Sequence, residues 1–397
     1  MRDGWSETTL GDVAEWWSGG TPKAREPKYY ENGTIPWAVI ADMNKGIINS
    51  TNSYITEDAL DLIGGRLAPV GSVLISMYAS VGKSAIANIP LATNQAIAWS
   101  IPNQEKINPF YLYLVSQQLE KEISDLARGA TQRNINRQML REFTFQLPPL
   151  PEQKRIVDLI SSVDSYIEAL QQQLDSAKRS RNAVLHKLLT VGGEDWEYKI
   201  LSDICEVRDG THDSPKPSDK GFALVTSKNI KDGRLDLESA YLISPQDYEE
   251  VNKRSKVEQY NLLISMIGTI GEVIVVEGEP DFAIKNVGLL KSTEPILSRY
   301  LCHYLGSQLG KNAISLSVSG STQKFISLGK LRALPVLYPS MEDQKAIVEA
   351  MSLFDQQISK NLEVAARIKN LRSSLLSDLL SGEHEIPASY DKVIGAA

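Results

Sequence analysis

The chain has few of the residues that build metal and redox sites. Among its 397 residues are two cysteines, Cys205 and Cys302, and four histidines. The cysteines lie far apart and form no CxxC pair, which argues against a disulfide framework and against zinc-ligand spacing. The histidines are too scattered along the chain for a metal site. We therefore expect a reduced, cytoplasmic protein without metal.

Long apolar runs are also missing. No stretch of the sequence approaches the about 18 apolar residues that a membrane-spanning helix needs. The chain begins with MRDGWSETTL, which is charged and polar. We expect neither a membrane span nor a signal peptide.

Motifs for catalysis are scarce as well. The chain has no GxSxG nucleophile motif and no glycine-rich cofactor motif after a strand. The string SVGKSA at residues 80–85 resembles the end of a phosphate-binding loop, but Met77 occupies the position of the required glycine. The related string TIGEVI at 269–274 has lost the lysine and the hydroxyl. Both strings predict a strand, a glycine turn at Gly82 or Gly271, and a second strand. We expect no catalytic residues and no cofactor in this chain.

The net charge is −7, so the chain is not a polycation. This balance argues against nonspecific binding to nucleic acid, because neutralising phosphates favours a clearly basic domain. It leaves open a protein that gathers its basic residues on one face.

What the chain does have is an internal repeat. Trp5 recurs as Trp196 and Asp12 as Asp203, an offset of 191 residues (203 − 12). The same offset relates GATQRNI at 129–135 to GSTQKFI at 320–326, and EQKRIV at 152–157 to DQKAIV at 343–348. Solenoid repeats are about 20 to 50 residues long, so this repeat indicates a duplicated domain with a connector.

Each copy ends in a predicted long helix. Residues 152–191 and 340–381 contain no glycine or proline, and apolar residues recur there in a 4,3,4,3 pattern. A sustained repeat of this kind is typical of a coiled coil. Arg181 and Arg372 interrupt it at equivalent positions. The predicted seam residues are Ile156, Ile160, Val163, Ile167, Leu170 and Leu174, with Ile347, Met351, Phe354, Ile358, Ile368 and Leu375 in the second copy.

The connectivity favours an antiparallel helix pair about 60 Å long, because the first helix leads to the second globular half and the second helix must run back. The alternative is that each helix packs on its own domain. The globular halves contain short strand-like runs, for example residues 72–79 and 261–268, and short helices at 109–123 and 298–310. The expected fold class is α+β: two similar mixed α/β domains joined by two long helices in an antiparallel coiled coil, with pseudo-twofold symmetry.

Loops that mix small, amide, basic and aromatic residues are candidates for contacts with DNA bases and phosphates. The alternative is that they are solvated turns. Divergence favours recognition, because the frame repeats while the loops differ. The candidates in the first half are Ser18, Thr21, Lys23, Arg25, Asn44, Lys45, Tyr78, Ser80, Lys83, Asn94, Gln95, Arg128, Gln132, Arg133, Asn134 and Arg137. Those in the second half are Arg208, Thr211, His212, Lys216, Lys228, Asn229, Lys231, Arg234, Thr269, Lys285, Asn286, Gln323 and Lys324.

Taken in order and twice over, these segments resemble the specificity subunit of type I restriction-modification enzymes. The resemblance rests on the opening at Trp5 to Asp12, the GATQRNI and GSTQKFI segments, the leads LPPLPEQKRIV at 147–157 and LYPSMEDQKAIV at 337–348, and the helix ends HKLLT and SDLLS. It implies target-recognition domains at 1–149 and 192–339, spacer helices at 150–191 and 340–382, and a C-terminal tail at 383–397.

The resemblance further implies that each domain reads one half of a split double-stranded DNA target, and that the coiled coil sets the gap. It implies two methyltransferase subunits that carry S-adenosylmethionine, with restriction or translocase subunits as further partners. Apolar residues beside the seam would dock these partners or pack on the chain's own domains: Leu159, Leu185 and Leu189, with Ala350, Leu376 and Leu380. The competing functional class is a structural or protein-binding adaptor that holds two partners apart; an autonomous methyltransferase or nuclease needs motifs that the sequence lacks.

Overall fold

In a computed structural model, the chain forms two compact units. Unit 1 comprises residues 1–170 and 364–397, and unit 2 comprises residues 171–363. The structure describes residues 2–129, 134–193, 196–231, 233–318 and 325–391. Within these ranges no helix is both long and apolar enough to cross a membrane, and no cluster of three His, Cys, Asp or Glu side chains is arranged to hold a metal ion.

The first half of the chain contains ten strands and four helices within the described residues. In chain order these are β1 (Ser6–Thr9), α1 (Leu10–Val13), β2 (Ala14–Ser18), β3 (Ile35–Ala38), β4 (Ile47–Ile48), β5 (Ser53–Ile55), α2 (Glu57–Leu62), β6 (Val73–Ser76), β7 (Ser84–Ala87), β8 (Ala92–Thr93), β9 (Ile97–Pro102), α3 (Pro109–Gly129), α4 (Arg137–Arg141) and β10 (Thr144–Leu147). Short 3-10 helices lie at Pro27–Tyr29 and Ile40–Lys45. The first long helix, α5 (Leu150–Thr190), follows.

The second half has a similar order, with two strands in place of β4 and two helices in place of α3. Its elements are β11 (Glu197–Ile200), α6 (Leu201–Ile204), β12 (Glu206–Asp209), β13 (Phe222–Val225), β14 (Ile230–Lys231), β15 (Arg234–Leu235), β16 (Tyr241–Ile243), α7 (Pro245–Ser255), β17 (Leu262–Ser265), β18 (Val273–Val275), β19 (Phe282–Ile284), β20 (Val287–Lys291), α8 (Pro295–Gly306), α9 (Gln308–Ser317), α10 (Leu328–Arg332) and β21 (Pro335–Tyr338). A 3-10 helix lies at Ser227–Asn229. The second long helix, α11 (Met341–Ser381), ends the fold.

Sheet topology confirms the duplication that the sequence indicates. In unit 1 the largest sheet has the order β2-β9-β6-β7-β4, and in unit 2 the corresponding order is β12-β20-β17-β18. The smaller sheets, β5-β3-β8 and β16-β13-β19, each combine one antiparallel and one parallel pairing. Each unit also pairs its first and last strands, β1 with β10 and β11 with β21.

Both long helices occur close to their predicted bounds, and each unit's core contains one end of each. In unit 1, Ile156 and Ile160 of α5 and Leu379 of α11 lie in one buried cluster with the sheet and α3. In unit 2, Leu189 of α5 and Met351 of α11 do the same. The helix ends are therefore part of the domain cores.

The six apolar residues beside the seam, which were candidates either for partner docking or for packing on the chain, contact the chain's own cores. Leu185 and Leu189 are buried in the core of unit 2, and Leu376 and Leu380 in the core of unit 1. Leu159 and Ala350 are partly buried against the same two cores. Packing on the chain's own units is therefore confirmed for Leu185, Leu189, Leu376 and Leu380, whereas Leu159 and Ala350 keep part of their surface exposed.

The repeated motif residues form repeated frame contacts. The Trp5 indole donates to Glu152 at 3.1 Å, and the Trp196 indole donates to Asp343 at 2.9 Å. The amide that follows each carboxylate, Gln153 or Gln344, is buried and donates to the carbonyl of Pro148 or Pro339. A buried carboxamide that satisfies a loop carbonyl fixes the start of each long helix, since buried polar groups require partners.

One prediction about helices needs correction. The predicted helix at 298–310 is two helices, α8 and α9, because Ser307 is extended and its hydroxyl accepts from Gly310 N as an N-cap. The predicted tail at 383–397 packs on unit 1 as far as it is described: Ile386 is buried in the core, and Asp391 pairs with Arg155 at 3.2 Å.

Candidate nucleic-acid interface

Four segments of unit 1 that are distant in sequence meet around the tip of the β6–β7 hairpin. The tip carries Tyr78 and Ser80, which are exposed. Just before it, Met77 N donates to the carbonyl of Ala96 at 2.8 Å, and the Met77 carbonyl accepts from Ile135 N at 3.2 Å. These two bonds place the loop at 93–96 and the segment from residue 134 beside the tip.

The tip itself is a tight turn, as the sequence predicts, and no phosphate loop. Gly82 has φ +88°, and its counterpart Gly271 in unit 2 has φ +90°, conformations that favour glycine. The hydroxyls of Ser76 and Ser265 donate to the carbonyls of Ser80 and Thr269, closing each turn in the same way.

Two more loops of unit 1 join this cluster through side chains. The Lys83 ammonium donates to Asn44, which links the hairpin to the 3-10 segment Ile40–Lys45. The Thr21 hydroxyl donates to Gln95, and Gly20 N donates to the Thr93 carbonyl at 3.0 Å. The predicted residues of these loops therefore share one surface.

Unit 2 brings its predicted loops together in the same way. Asn286 N donates to the Thr211 carbonyl at 3.1 Å, and the ring of His212 lies 2.8 Å from Asn286 Oδ1. The Lys285 ammonium donates to Ser214. Ile326 N donates to the Met266 carbonyl at 3.0 Å, which matches the Ile135–Met77 bond of unit 1.

Several predicted residues carry exposed positive charge. Within the described part of the chain, Arg25, Arg137, Lys216, Lys228, Lys231 and Arg234 are exposed and form no ion pair. Lys23 and Arg128 are exposed and make solvent-screened pairs with Glu26 at 3.4 Å and Asp125 at 3.5 Å. Ser18 and Thr269 are exposed, and Asn94 and Asn134 are half-buried. Such cations can exchange water or a weak pair for DNA phosphate at little cost.

Four predicted residues bind neighbours within their own unit. Asn229 is buried: its Oδ1 accepts from Thr226, and its Nδ2 donates to Asp236 and Ser239. Thr211 is buried, and its hydroxyl accepts from Asp213 N. The three ammonium donors of Lys45 are taken by Asp42, Ser50 and Asn52. The guanidinium of Arg208 binds Glu206 and the carbonyl of Arg254. These four side chains hold loops in place.

Four other predictions, Gln132, Arg133, Gln323 and Lys324, lie outside the described residues. In contrast, Arg66 belongs to none of the predicted loops. It is exposed and follows two glycines with positive φ after α2. Its guanidinium carbon lies 3.6 Å from the centroid of the Trp17 ring. In the sequence, Arg66 is recognisable only as a basic residue that follows two glycines. Its contact with Trp17 depends on the fold.

The chain matches a known protein family over most of its length. The model of the family described as type I restriction modification DNA specificity domain matches residues 2–179 and again residues 193–369. The two matches correspond to the two copies of the repeat.

Individual proteins are similar over part or all of the chain. The EcoR124I/EcoR124II specificity subunit of Escherichia coli is 31% identical over 172 residues, which are 42% of each chain. The Escherichia coli EcoBI specificity subunit is 25% identical over 99% of this chain and 92% of its own. The solved structure of a type I restriction-modification S subunit from M. genitalium superposes with a TM-score of 0.54 over 96% of this chain and 97% of that one, at 14% identity. That structure supports the mixed α/β fold.

Proposed function

This chain belongs to the family of type I restriction-modification DNA specificity subunits, whose members recognise DNA and are not catalytic. On this basis we propose that each unit reads one half of a bipartite DNA target. The main support for this proposal is that the two units share an equivalent arrangement of strands and helices but differ in their loop residues. The same backbone bonds assemble the loop clusters of both units, Met77 with Ile135 and Met266 with Ile326. The exposed side chains on those loops differ, as readers of different sequences require.

We propose that residues 1–149 and 192–339 form the two DNA-recognition domains. Residues 150–191 and 340–382 would form the spacer helices. Phosphate contacts from exposed lysines and arginines would position each reader, and amide, hydroxyl and arginine side chains would select bases. The candidates are the exposed and half-buried loop residues named above, without Asn229, Thr211, Lys45 and Arg208.

We further propose that α5 and α11 pair as an antiparallel coiled coil. Support comes from one contact in each unit: Arg372 of α11 with Asp164 of α5, and Arg181 of α5 with Asp355 of α11. Between these pairs Leu170, Leu174 and Ala365 are buried although they lie on the helices. Helices of 41 residues are about 60 Å long, enough to separate two half-sites by about one DNA turn, roughly 34 Å.

The proposed partners are two methyltransferase subunits, with restriction or translocase subunits as further partners. The duplicated frame supports the number two, because it offers two equivalent surfaces to two copies of one partner. S-adenosylmethionine would be bound by the methyltransferase, and no residue of this chain is assigned to it. The proposed docking surface excludes the buried side chains of Leu185, Leu189, Leu376 and Leu380.

The experiment is to express the chain with its methyltransferase subunit and to map methylated sites. We expect one split sequence with a fixed nonspecific gap. A protein adaptor that does not recognise DNA would leave methylation unchanged when the chain is removed, and its complex would show no salt-dependent preference for a split DNA duplex. Methylation by this chain alone would instead indicate an autonomous enzyme.

A further inference from the structure

Arg66 is held by stacking, and no described residue binds its hydrogen-bond donors. Its guanidinium lies over Trp17 at 3.6 Å, and Trp17 in turn stacks on Trp99 with ring centroids 6.3 Å apart. Trp17 and Trp99 are direct partners on strands β2 and β9. Within the described residues, Arg66 makes no ion pair or hydrogen bond with protein.

The stacked arginine borders the loops that form the candidate interface. It lines a cleft of about 240 Å³ together with Trp17, Ser18, Gly19, Ile63 and Thr93. Ser18 and Gly19 begin the loop that binds Gln95 through Thr21. Ile63 packs so closely on Gly20 that a Cβ there would lie 2.7 Å from it. Arg66 therefore shares the surface of the predicted DNA-contacting loops.

Stacking suits an arginine for reading a base. An aromatic ring below the guanidinium reduces its rotational freedom and leaves its N–H groups directed outward. Two parallel donors of a guanidinium match O6 and N7 of guanine in the major groove, the commonest specific arginine contact. An arginine needed only for phosphate contact does not require such a platform, since a flexible lysine supplies the charge.

Unit 2 does not repeat the arrangement. At the paired strand positions that hold Trp17 and Trp99 in unit 1, unit 2 has Arg208 and Leu289. Arg208 uses its guanidinium on Glu206 and on the Arg254 carbonyl, at 2.6 and 2.7 Å. The tryptophan platform is thus a divergent feature placed on the shared frame, as expected of a reader.

We propose that Arg66 reads a guanine, through O6 and N7, in the half-site bound by unit 1. This inference rests on the proposed function, because it assigns one contact of the same interface. Loss of a bidentate contact should reduce discrimination at that one base pair by about 5- to 150-fold, and leave the half-site read by unit 2 unchanged.

The test uses the full chain in complex with its methyltransferase subunits, and compares maps of methylated sites. Arg66→Ala and Arg66→Lys should each relax one guanine position in one half-site. Arg66→Lys should also keep most of the salt dependence of binding, because it retains the charge. Arg299→Ala in unit 2 is the matched control, since Arg299 also lies over a ring, that of Tyr260, but is paired with Glu277 at 3.2 Å; its map should equal that of the wild type.

Three outcomes overturn the inference: both variants keep the wild-type motif, both weaken all sites equally without relaxing a base, or the half-site of unit 1 contains no guanine. A wild-type complex that methylates no split sequence would instead contradict the proposed function. Because Arg66 is exposed, thermal unfolding of the variants should match the wild type, and the lysine variant provides an independent readout if the alanine variant does not fold.

Discussion

Arg372 and Asp164 form a two-pronged ion pair between the two long helices inside unit 1. Arg372 Nε and Nη2 donate to the two carboxylate oxygens at 2.6 and 2.8 Å. In unit 2, Arg181 and Asp355 repeat the pair at 2.5 and 3.2 Å, and both members are displaced by 191 residues (372 − 181 and 355 − 164). The arginine that interrupts each apolar stripe is therefore the residue that joins its helix to the other one.

Breaking the Arg372–Asp164 pair should destabilise the fold. Asp164→Ala leaves Arg372, whose side chain is 17% exposed, without its main anionic partner. Because Asp164 is about half exposed, solvent screens the interaction, and we expect a loss of about 1 to 2 kcal/mol in the free energy of unfolding. Urea denaturation of Asp164→Ala, Arg372→Leu and the double variant measures the coupling. Lys154→Ala, at an exposed pair within one helix, should cost less than about 0.5 kcal/mol; equal effects would count against the helix-joining role.

The indole hydrogen bonds of the two repeated tryptophans should each stabilise the fold. Trp5→Phe removes the indole donor from Glu152, a nearly buried carboxylate that keeps Arg2 as a partner at 2.7 Å, and Trp196→Phe removes the donor from Asp343. A donor lost from a buried carboxylate costs about 1 to 3 kcal/mol. Thermal unfolding should show a loss in this range for Trp5→Phe and a smaller one for Trp196→Phe, because Asp343 is half-buried and also accepts from the Ser340 hydroxyl at 2.8 Å. Trp17→Phe is the control, because the buried Trp17 Nε1 has no hydrogen-bond partner in the described structure; a loss as large there would show that ring size, not the bond, matters.

Exchanging alanine and glycine at the two hairpin tips should change the free energy of unfolding in opposite directions. Ala79 has φ +60°, and its counterpart Gly268 has φ +77°, so both occupy the left-handed region that disfavours a Cβ. We expect Ala79→Gly to be neutral or to stabilise by up to about 1 kcal/mol, and Gly268→Ala to destabilise by about 1 kcal/mol. Among the residues that the structure describes, none has an atom within 4 Å of a Cβ placed at Gly268, so the expected effect is one of backbone conformation. Urea midpoints measure both; destabilisation by Ala79→Gly would contradict it.

His303 should make unit 2 sensitive to acid. Burial and then the charge of Arg181 lower the pKa of His303 to about 4, while the unfolded chain has the ordinary value of about 6.5. The folded ring stays neutral and accepts from Arg181 through Nδ1 at 3.0 Å. Below pH 6.5 the unfolded state binds the extra proton, so this contribution to stability is full above that pH and falls, by up to about 3 kcal/mol, as the pH approaches 4.

The measurement is the difference in unfolding free energy between the wild type and His303→Gln across that range. The difference should change with pH, because glutamine does not titrate. His384→Gln, at an exposed histidine, should follow the wild-type curve. A pH-independent difference for His303→Gln would contradict the half-buried, neutral ring.

Much of the frame was predictable because it depends on local patterns. The absence of Gly and Pro and the apolar period located α5 and α11 almost to the residue, and short continuous apolar runs located strands such as β6 and β17. Strand order was not predictable, since pairings such as β2 with β9 join residues at least 80 positions apart and are set by packing over long distances.

The site was predictable at the level of loops but not of side chains. Composition identified the turns around Tyr78 and Lys83, and the fold brings them together. Composition could not distinguish a free lysine from Lys45, whose donors are used by its own loop, because that depends on three-dimensional neighbours. For the same reason Arg66 was missed: Trp17, on which it stacks, lies 49 residues earlier in the sequence (66 − 17).

The central claim is that two independent readers stand on one duplicated frame. It is tested most directly by replacing residues 1–149 with the equivalent domain of a family member of known target, and mapping methylation by the complex with its methyltransferase. We expect one half-site to change to that of the donor while the other half-site and the gap stay the same. A change in both half-sites, or in neither, would contradict the account.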